Sequence, residues 1–264
     1  MMNYTLTLTT LLFIFGACIG SFLNVCIFRI PQKKSIAFPG SFCPVCKESI
    51  PFYCNVPVLS YLFLKGRCKY CKNPISIRYP LVEILTGIFP VFLFLKFGLT
   101  LPLFFWFSFV CVLIVISLID FDHQIIPDII SLPGIVIFAS SAAFIPEMTF
   151  ASVLIGILTG GGILYAIAFL YYKLRKTEGM GGGDIKLLAM IGAATGLEGV
   201  MFTLFTASLT GTVAGIGTLL FSKGSTRQLK IPFGPYLSAG VILYIFFGKN
   251  LIQWYFGFFT KNWP

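Results

Sequence analysis

The chain has 264 residues, of which 57% are hydrophobic and only 11% charged, and its mean hydropathy is +0.93. Soluble domains carry about 25% charged residues, so composition excludes an ordinary water-soluble globule. The net charge of +10 is spread between apolar runs, which speaks about membrane topology and against nucleic-acid binding.

The first apolar stretch, from Tyr4 to Phe28, lacks the basic start of a signal peptide and keeps the polar Asn24 and Cys26, so it is expected as a retained first span. Further spans are expected near 79–96, 101–119, 129–146, 150–172, 185–197, 199–221 and 235–258, with the first near 5–28. The sixth is too short to cross alone. Pro127, Pro146, Gly179 to Gly183, Pro232 and Gly234 mark the breaks. The expected fold is an all-α polytopic membrane protein with about eight transmembrane helices and a small cytoplasmic zinc-ribbon-like insertion. Its expected parts are a first helix (1–28), a cysteine domain (29–78) and a multi-helix membrane domain (79–264).

Nine Lys/Arg lie between Arg29 and Arg78, four between Lys173 and Lys186, and three between Lys223 and Lys230. The positive-inside rule places these three segments in the cytoplasm, with both termini outside. The Asp120 to Asp128 turn and the Gly179 to Asp184 loop then fall on the cytoplasmic side, although neither segment's acids entered the rule.

The insertion between Arg29 and Arg78 holds too few large apolar residues for a core of its own, and a soluble piece of about 45 residues usually needs a staple. Cys43-Pro44-Val45-Cys46 and Cys68-Lys69-Tyr70-Cys71 offer one, as two CxxC knuckles separated by 21 residues. Four thiolates make a closed tetrahedral site for Zn²⁺ with no position left for water, hence a structural one. Two disulfides and an iron–sulfur centre are the alternatives. A reducing cytoplasm argues against the disulfides. Cys54 reads as a spare thiol, and Cys18, Cys26 and Cys111 as packing residues within spans.

Only nine residues are acidic, and two of them stand where apolar segments meet water. Asp120 ends the run Leu113 to Ile119, and Asp184 ends the run Gly179-Met180-Gly181-Gly182-Gly183. An ionised Asp at the centre of a membrane helix costs roughly 2.5–3.5 kcal/mol on insertion scales, so such residues are usually functional. Two carboxylates held together share one proton. The ionised one takes a proton from water while the protonated one polarises a scissile carbonyl or protonates a leaving amine. Asp128 beside Pro127 is expected to cap the next helix. His123, the one histidine, lies exposed near a helix end and reads as incidental. The glycines before Asp184 leave N–H groups open to a bound peptide backbone, so Gly181, Gly182 and Gly183, with Asp122 and Asp128, are candidate substrate contacts. The run is no phosphate loop, because no Lys-Ser/Thr follows it in the required spacing.

Six motifs in order carry a resemblance that covers nearly the whole chain. They are Gly20-Ser21-Phe22-Leu23-Asn24-Val25 through Arg29-Ile30-Pro31, the paired CxxC, and Ile77-Arg78-Tyr79-Pro80-Leu81-Val82-Glu83. Then come Ile119-Asp120 to Pro127-Asp128, Gly181-Gly182-Gly183-Asp184-Ile185-Lys186, and Pro232-Phe233-Gly234-Pro235. The chain resembles the bacterial type IV prepilin peptidases, bifunctional leader peptidase/N-methyltransferases of the GxGD aspartic type. The resemblance implies Asp120 and Asp184 as the catalytic pair, Asp120 rather than Asp122 because the family acid precedes the motif proline by seven residues.

It also implies cleavage of prepilin and pseudopilin leaders at the cytoplasmic face of the bacterial inner membrane, followed by methylation of the new N-terminus with S-adenosylmethionine. No Rossmann-type fingerprint supports the methyl transfer independently. Glu83 and Asn24 are candidates for it, beside a plain hydrogen-bonding role. Prepilin leaders are short and basic, so the acidic Asp120 turn is a candidate landing point within a basic, lipid-facing collar. A proton or metal-ion transporter is the reading from another class, but transport acids should lie at several depths, and these cluster at one face. A presenilin-type protease shares the GxGD signature, yet its Pro-Ala-Leu is met only loosely by Pro235-Tyr236-Leu237 and it lacks a cysteine ribbon.

Overall fold

The computed structural model describes residues 2–177, 181–221 and 232–261. The expected break at Gly179 and Met180 and the basic segment from Lys223 to Lys230 lie outside the described residues. The described residues contain no β-strand, only two isolated bridges. The chain divides into two compact units, Met1–Val115 and Ile116–Pro264.

In the first unit, α1 (Met2–Arg29) and α3 (Arg78–Phe97) pack along a seam of small residues. A Cβ on Gly16 would lie 2.6 Å from the Thr86 carbonyl oxygen, and one on Gly87 would lie 2.9 Å from the Phe13 ring. Close backbone approach of this kind holds membrane helices together where lipid supplies no hydrophobic drive. Arg29 closes the last turn of α1, where a cation complements the helix dipole. Pro80 sits in the first turn of α3, where no intrahelical N–H is required. Between these helices lies the cysteine insertion, with the short α2 (Leu59–Phe63). The fourth helix, α4 (Leu101–His123), is apolar on all sides, begins in the first unit and ends in the second.

The second unit continues with α5 (Asp128–Phe138), α6 (Ser141–Phe144), α7 (Phe150–Arg175) and α8 (Gly182–Phe221). It closes with α9 (Gly234–Leu243), a π turn over Tyr244–Gly248 and α10 (Lys249–Lys261). Helix α7 starts at a capping box between Thr149 and Ser152. Helix α8 is broken at Gly196, where φ is 69° and ψ is −169°, a conformation that a residue with a Cβ avoids.

The first half of α8 runs antiparallel to α7: Gly192 meets Gly156, and Leu188 meets Gly160. The second half runs antiparallel to α9: Gly240 lies against Thr203 and Thr206, and Gly211 faces Tyr236. Ile126 touches Gly183 at one end of this hairpin and Gly234 beside the other, so the chain reverses at Gly196.

Six helices among the described residues are long and apolar enough to cross a membrane. The expected spans 185–197 and 199–221 are the two halves of α8. The expected span 129–146 is not one helix but the 11-residue α5 followed by the short α6. An apolar run of spanning length does not guarantee an unbroken helix, and here the regular α-helical bonding lapses after Phe138 and the backbone turns extended at Ile145.

Candidate active site and cysteine centre

Asp120 lies in the last turn of α4 and is buried, at 5% exposure. Its Oδ2 accepts a hydrogen bond of 3.0 Å from the backbone N–H of Gly234, the first residue of α9. Such a bond fixes the carboxylate and places it at the positive end of that helix. Gly234 has no room for a side chain, since an added Cβ would stand 2.7 Å from Asp120 Oδ2 and 3.4 Å from Ile126 Cδ1.

Asp184 is half-buried in the first turn of α8. It is a residue inside the helix rather than its cap, and its N–H donates to the Gly181 carbonyl at 3.3 Å. The residue before it, Gly183, packs so closely on Ile126 that an added Cβ would lie 2.8 Å from the Ile126 Cβ. Ile126 therefore has Gly183 on one side and Gly234 on the other. Sequence reasoning singled out the Pro232 to Pro235 motif but read Gly234 only as a break between spans and gave Ile126 no role.

The remaining predicted residues divide. Asp122 and His123 are exposed. Asp128 is the first residue of α5 and makes no cap, contrary to expectation, because its Oδ1 accepts from Lys186 Nζ at 2.6 Å. Gly181 and Gly182 are exposed and have no close neighbour where a side chain would stand. Asn24 Nδ2 donates to the Tyr79 carbonyl at 3.1 Å, and Glu83 Oε2 accepts from Val58 N–H at 2.7 Å.

The four motif cysteines converge, with all four Sγ atoms within 4.8 Å of one another. Cys43 and Cys71 stand 3.9 Å apart, and Cys46 and Cys68 stand 4.0 Å apart. The two knuckles repeat one another. Cys43 N–H donates to Glu48 O and Cys68 N–H to Asn73 O, while Lys47 and Lys72 take matching left-handed turns with φ of 64° and 61°. The backbone N–H groups of Cys71 and then Tyr70 hold the Cys68 thiol down to about 6, while Cys46 in the same cluster is pushed up to about 11. These four cysteines could hold one metal ion. Cys54 is half-buried outside the cluster, Cys18 is exposed, and Cys26 and Cys111 are buried among the helices.

These features define a polytopic helical membrane protein with a four-cysteine insertion and two helix-end aspartates, one bonded to Gly234 and the other following Gly183, two glycines that pack on one isoleucine. Residues 14–97 match the bacterial peptidase A24 N-terminal domain, and residues 107–216 match the type IV leader peptidase family. The chain belongs to that family. It is 33% identical to a prepilin leader peptidase/N-methyltransferase of Legionella pneumophila, over 97% of both chains. It is 35% identical to the protein of that name from Xanthomonas campestris pv. campestris, over 92% of both. It is 34% identical to that of Bacillus subtilis, over 93% of this chain and 97% of the other. No solved structure matches the chain.

Proposed function

We propose that this protein removes the basic leader from prepilins and pseudopilins at the cytoplasmic face of the inner membrane, with Asp120 and Asp184 as the catalytic pair. It then methylates the new N-terminal amine with S-adenosylmethionine as donor. The observation that supports the reading is the convergence of the α4, α8 and α9 ends, where Gly234 N–H holds Asp120 and Ile126 packs on both Gly234 and Gly183, the residue before Asp184. The names of the relatives support prepilins as substrates and methylation as the second activity.

The two carboxylates share one proton. The ionised one draws a proton from water, whose oxygen attacks the scissile carbonyl carbon. The protonated one gives its proton to the carbonyl oxygen and, as the tetrahedral species breaks, the leaving amine gains one. Gly234 N–H holds one oxygen of Asp120 throughout, so the carboxylate need not reorient during the reaction. The exposed acids of the same turn, Asp122 and Asp128, offer the leader's lysines a landing point. The Asp128–Lys186 pair is itself exposed, and such pairs contribute about 0–1 kcal/mol, so an incoming cation displaces Lys186 readily. Gly181 and Gly182 leave backbone room for the peptide.

The cysteine cluster fits Zn²⁺. Tetrahedral Zn–S bonds of about 2.3 Å place sulfurs about 3.8 Å apart, close to the spacing of both sulfur pairs. Cys43, Cys46, Cys68 and Cys71 would hold the ion with all four positions filled. The ion would then brace the insertion and supply no Lewis acid to the peptide bond.

The test is incubation of the purified protein with a synthetic leader–pilin peptide, with and without S-adenosylmethionine, followed by mass measurement. Loss of the leader, then gain of one methyl group on the mature fragment only when the donor is present, is the expected result. An intact peptide would overturn the peptidase reading, and a cleaved but unmethylated product with donor present would overturn the second activity. Reversing the charge of the leader's lysines should raise KM with little change in kcat, and an unchanged KM would reject the acidic landing point.

A further inference from the structure

The two cysteine knuckles are built alike but not charged alike. Cys43 and Cys46 correspond to Cys68 and Cys71, and the bridge from Phe42 to Ser49 corresponds to that from Arg67 to Pro74. In this correspondence Gly40 and Phe42 of the first knuckle become Lys65 and Arg67 of the second, while Lys47 and Lys72 take equivalent turns. Four thiolates on one divalent ion leave negative charge for cations to offset, but the two knuckles share that charge equally. The extra cations of the second knuckle therefore face something else.

They line a cavity of about 540 Å³, within the usual range for ligand sites. Lys65, Arg67 and Lys72 share it with Phe63, Leu64 and Cys68. Among the described residues no acid lines it, and none of the three cations is paired with a carboxylate. Its backbone is fixed, because Gly66 N–H donates to Tyr61 O at 2.9 Å and Ile75 N–H to Gly66 O at 2.7 Å. Gly66 has φ of 65°, and the Tyr61 hydroxyl lies 2.9 Å from where its side chain would stand.

Helix α2 holds this cavity at the lipid boundary. Both α1 and α3 are long and apolar enough to cross a membrane, so the insertion that joins them sits at one surface. Val58, just before α2, donates its N–H to Glu83 at 2.7 Å. The 20 residues of α3 rise about 30 Å, the thickness of the hydrocarbon slab, and Glu83 lies in its second turn. Helix α2 therefore starts level with that turn rather than above it in water. There Leu59, Leu62 and Phe63 are 51%, 63% and 83% exposed, as suits a segment whose apolar side chains lie among acyl chains.

Three cations without an acid, beside apolar side chains at this depth, match a phosphate that carries no cation of its own and is joined to acyl chains. A zwitterionic headgroup brings its own positive charge, which these side chains would repel. We propose that the cavity on the second cysteine knuckle binds the headgroup phosphate of an anionic phospholipid. Lys65, Arg67 and Lys72 hold the phosphate, Phe63 lies against the acyl chains, and the lipid anchors the insertion to the membrane. The site stands apart from Asp120 and Asp184 and does not depend on the cleavage reaction.

The test is photolabelling of the full-length, zinc-loaded protein in phosphatidylcholine nanodiscs that contain a small, subsaturating fraction of phosphatidylglycerol with a photoreactive acyl chain. Peptide mapping should find the label within residues 59–72, and several-fold less of it when photoreactive phosphatidylcholine is used instead. Lys65→Gln should lower labelling by phosphatidylglycerol about fivefold, and adding Arg67→Gln and Lys72→Gln should abolish the preference between the lipids. Zinc content equal to wild type identifies a variant whose insertion has folded. If the triple variant fails that check, Lys65→Gln, which is not beside a cysteine, decides. Equal labelling by the two lipids, or full labelling of the zinc-loaded variants, would overturn the proposal. Complete displacement by millimolar inorganic phosphate would show a site for the free anion and overturn it too. Weaker zinc affinity in the variants with labelling unchanged would assign the cations to the metal instead.

Discussion

Asp120 and Gly234 are 114 residues apart in the chain and joined by one hydrogen bond of 3.0 Å from a backbone N–H to a carboxylate oxygen. The bond ties the end of α4 to the start of α9. With Ile126 packed on Gly183, it brings the ends of three helices to one place. The precision of the proposed dyad therefore depends on two glycines as much as on two acids.

Asp120→Asn and Asp184→Asn preserve side-chain shape but remove the charge and the shared proton. In the first variant the new amide oxygen can still accept from Gly234 N–H, so the local geometry survives. Each substitution should lower cleavage about a thousandfold or more, in line with the loss of a general acid or base. Zinc content and membrane insertion should be unchanged. Substantial cleavage by either purified variant would remove the dyad from the mechanism.

Gly183→Ala and Gly234→Ala should both lower kcat, by about tenfold to a hundredfold, because they push on the reacting groups rather than remove them. Their rescue should differ. The new methyl at 183 meets Ile126 first, so Ile126→Ala should restore most of the activity. The new methyl at 234 meets Asp120 Oδ2 first, so the same second substitution should restore little. Equal rescue would mean that Ile126 is not the element that sets the spacing. Cleavage assays on the two double variants decide it.

Removal of metal by chelation, or Cys43→Ser and Cys71→Ser, should loosen the 29–78 insertion and lower its resistance to proteolysis more than they lower peptide cleavage. Because Cys68 is held down to about 6, it is ready to bind above that pH and protonated below it. Zinc uptake by the stripped protein should therefore weaken as pH falls, because Cys46 must lose its proton throughout, and more steeply below about 6, where Cys68 adds about tenfold per unit. A zinc affinity that is flat from pH 7 to 5 would argue against thiolate ligation. Equilibrium competition with a chromogenic chelator measures it.

The crossing of α7 and α8 rests on backbone contact between Gly156 and Gly192. Gly156→Leu should prevent that contact and sharply lower the yield of folded protein. Gly162, on the same helix, has no atom within 4 Å of an added Cβ. Gly162→Ala should instead be neutral or stabilising, by up to about 1 kcal/mol, since alanine favours helix. Thermal unfolding in detergent separates the two.

Much of this was legible in the sequence. Apolar runs of spanning length, the two CxxC turns and the paired aspartate motifs are local patterns, and the membrane fold and the cysteine cluster follow from them. The shortness of α5 was hidden because hydropathy registers an apolar run from Ile129 to Pro146 but not the break after Phe138. The parts played by Gly234 and Ile126, and the partner of Glu83, were hidden for another reason. Each acts through a partner distant in the chain, and no periodicity links residue 120 to 234, 126 to 183 or 58 to 83. Motif spacing pointed to Pro232 to Pro235 as important without supplying the physics, which lies in a single peptide N–H.

The reversal at Gly196 has a consequence for the surrounding lipid. From Gly182 to Thr195 the first arm of α8 has fourteen residues, which at about 1.5 Å each rise roughly 21 Å. A hydrocarbon slab is about 30 Å thick, but this arm is buried in protein from Leu187 to Gly196, so its neighbours, not the acyl chains, close over the shortfall.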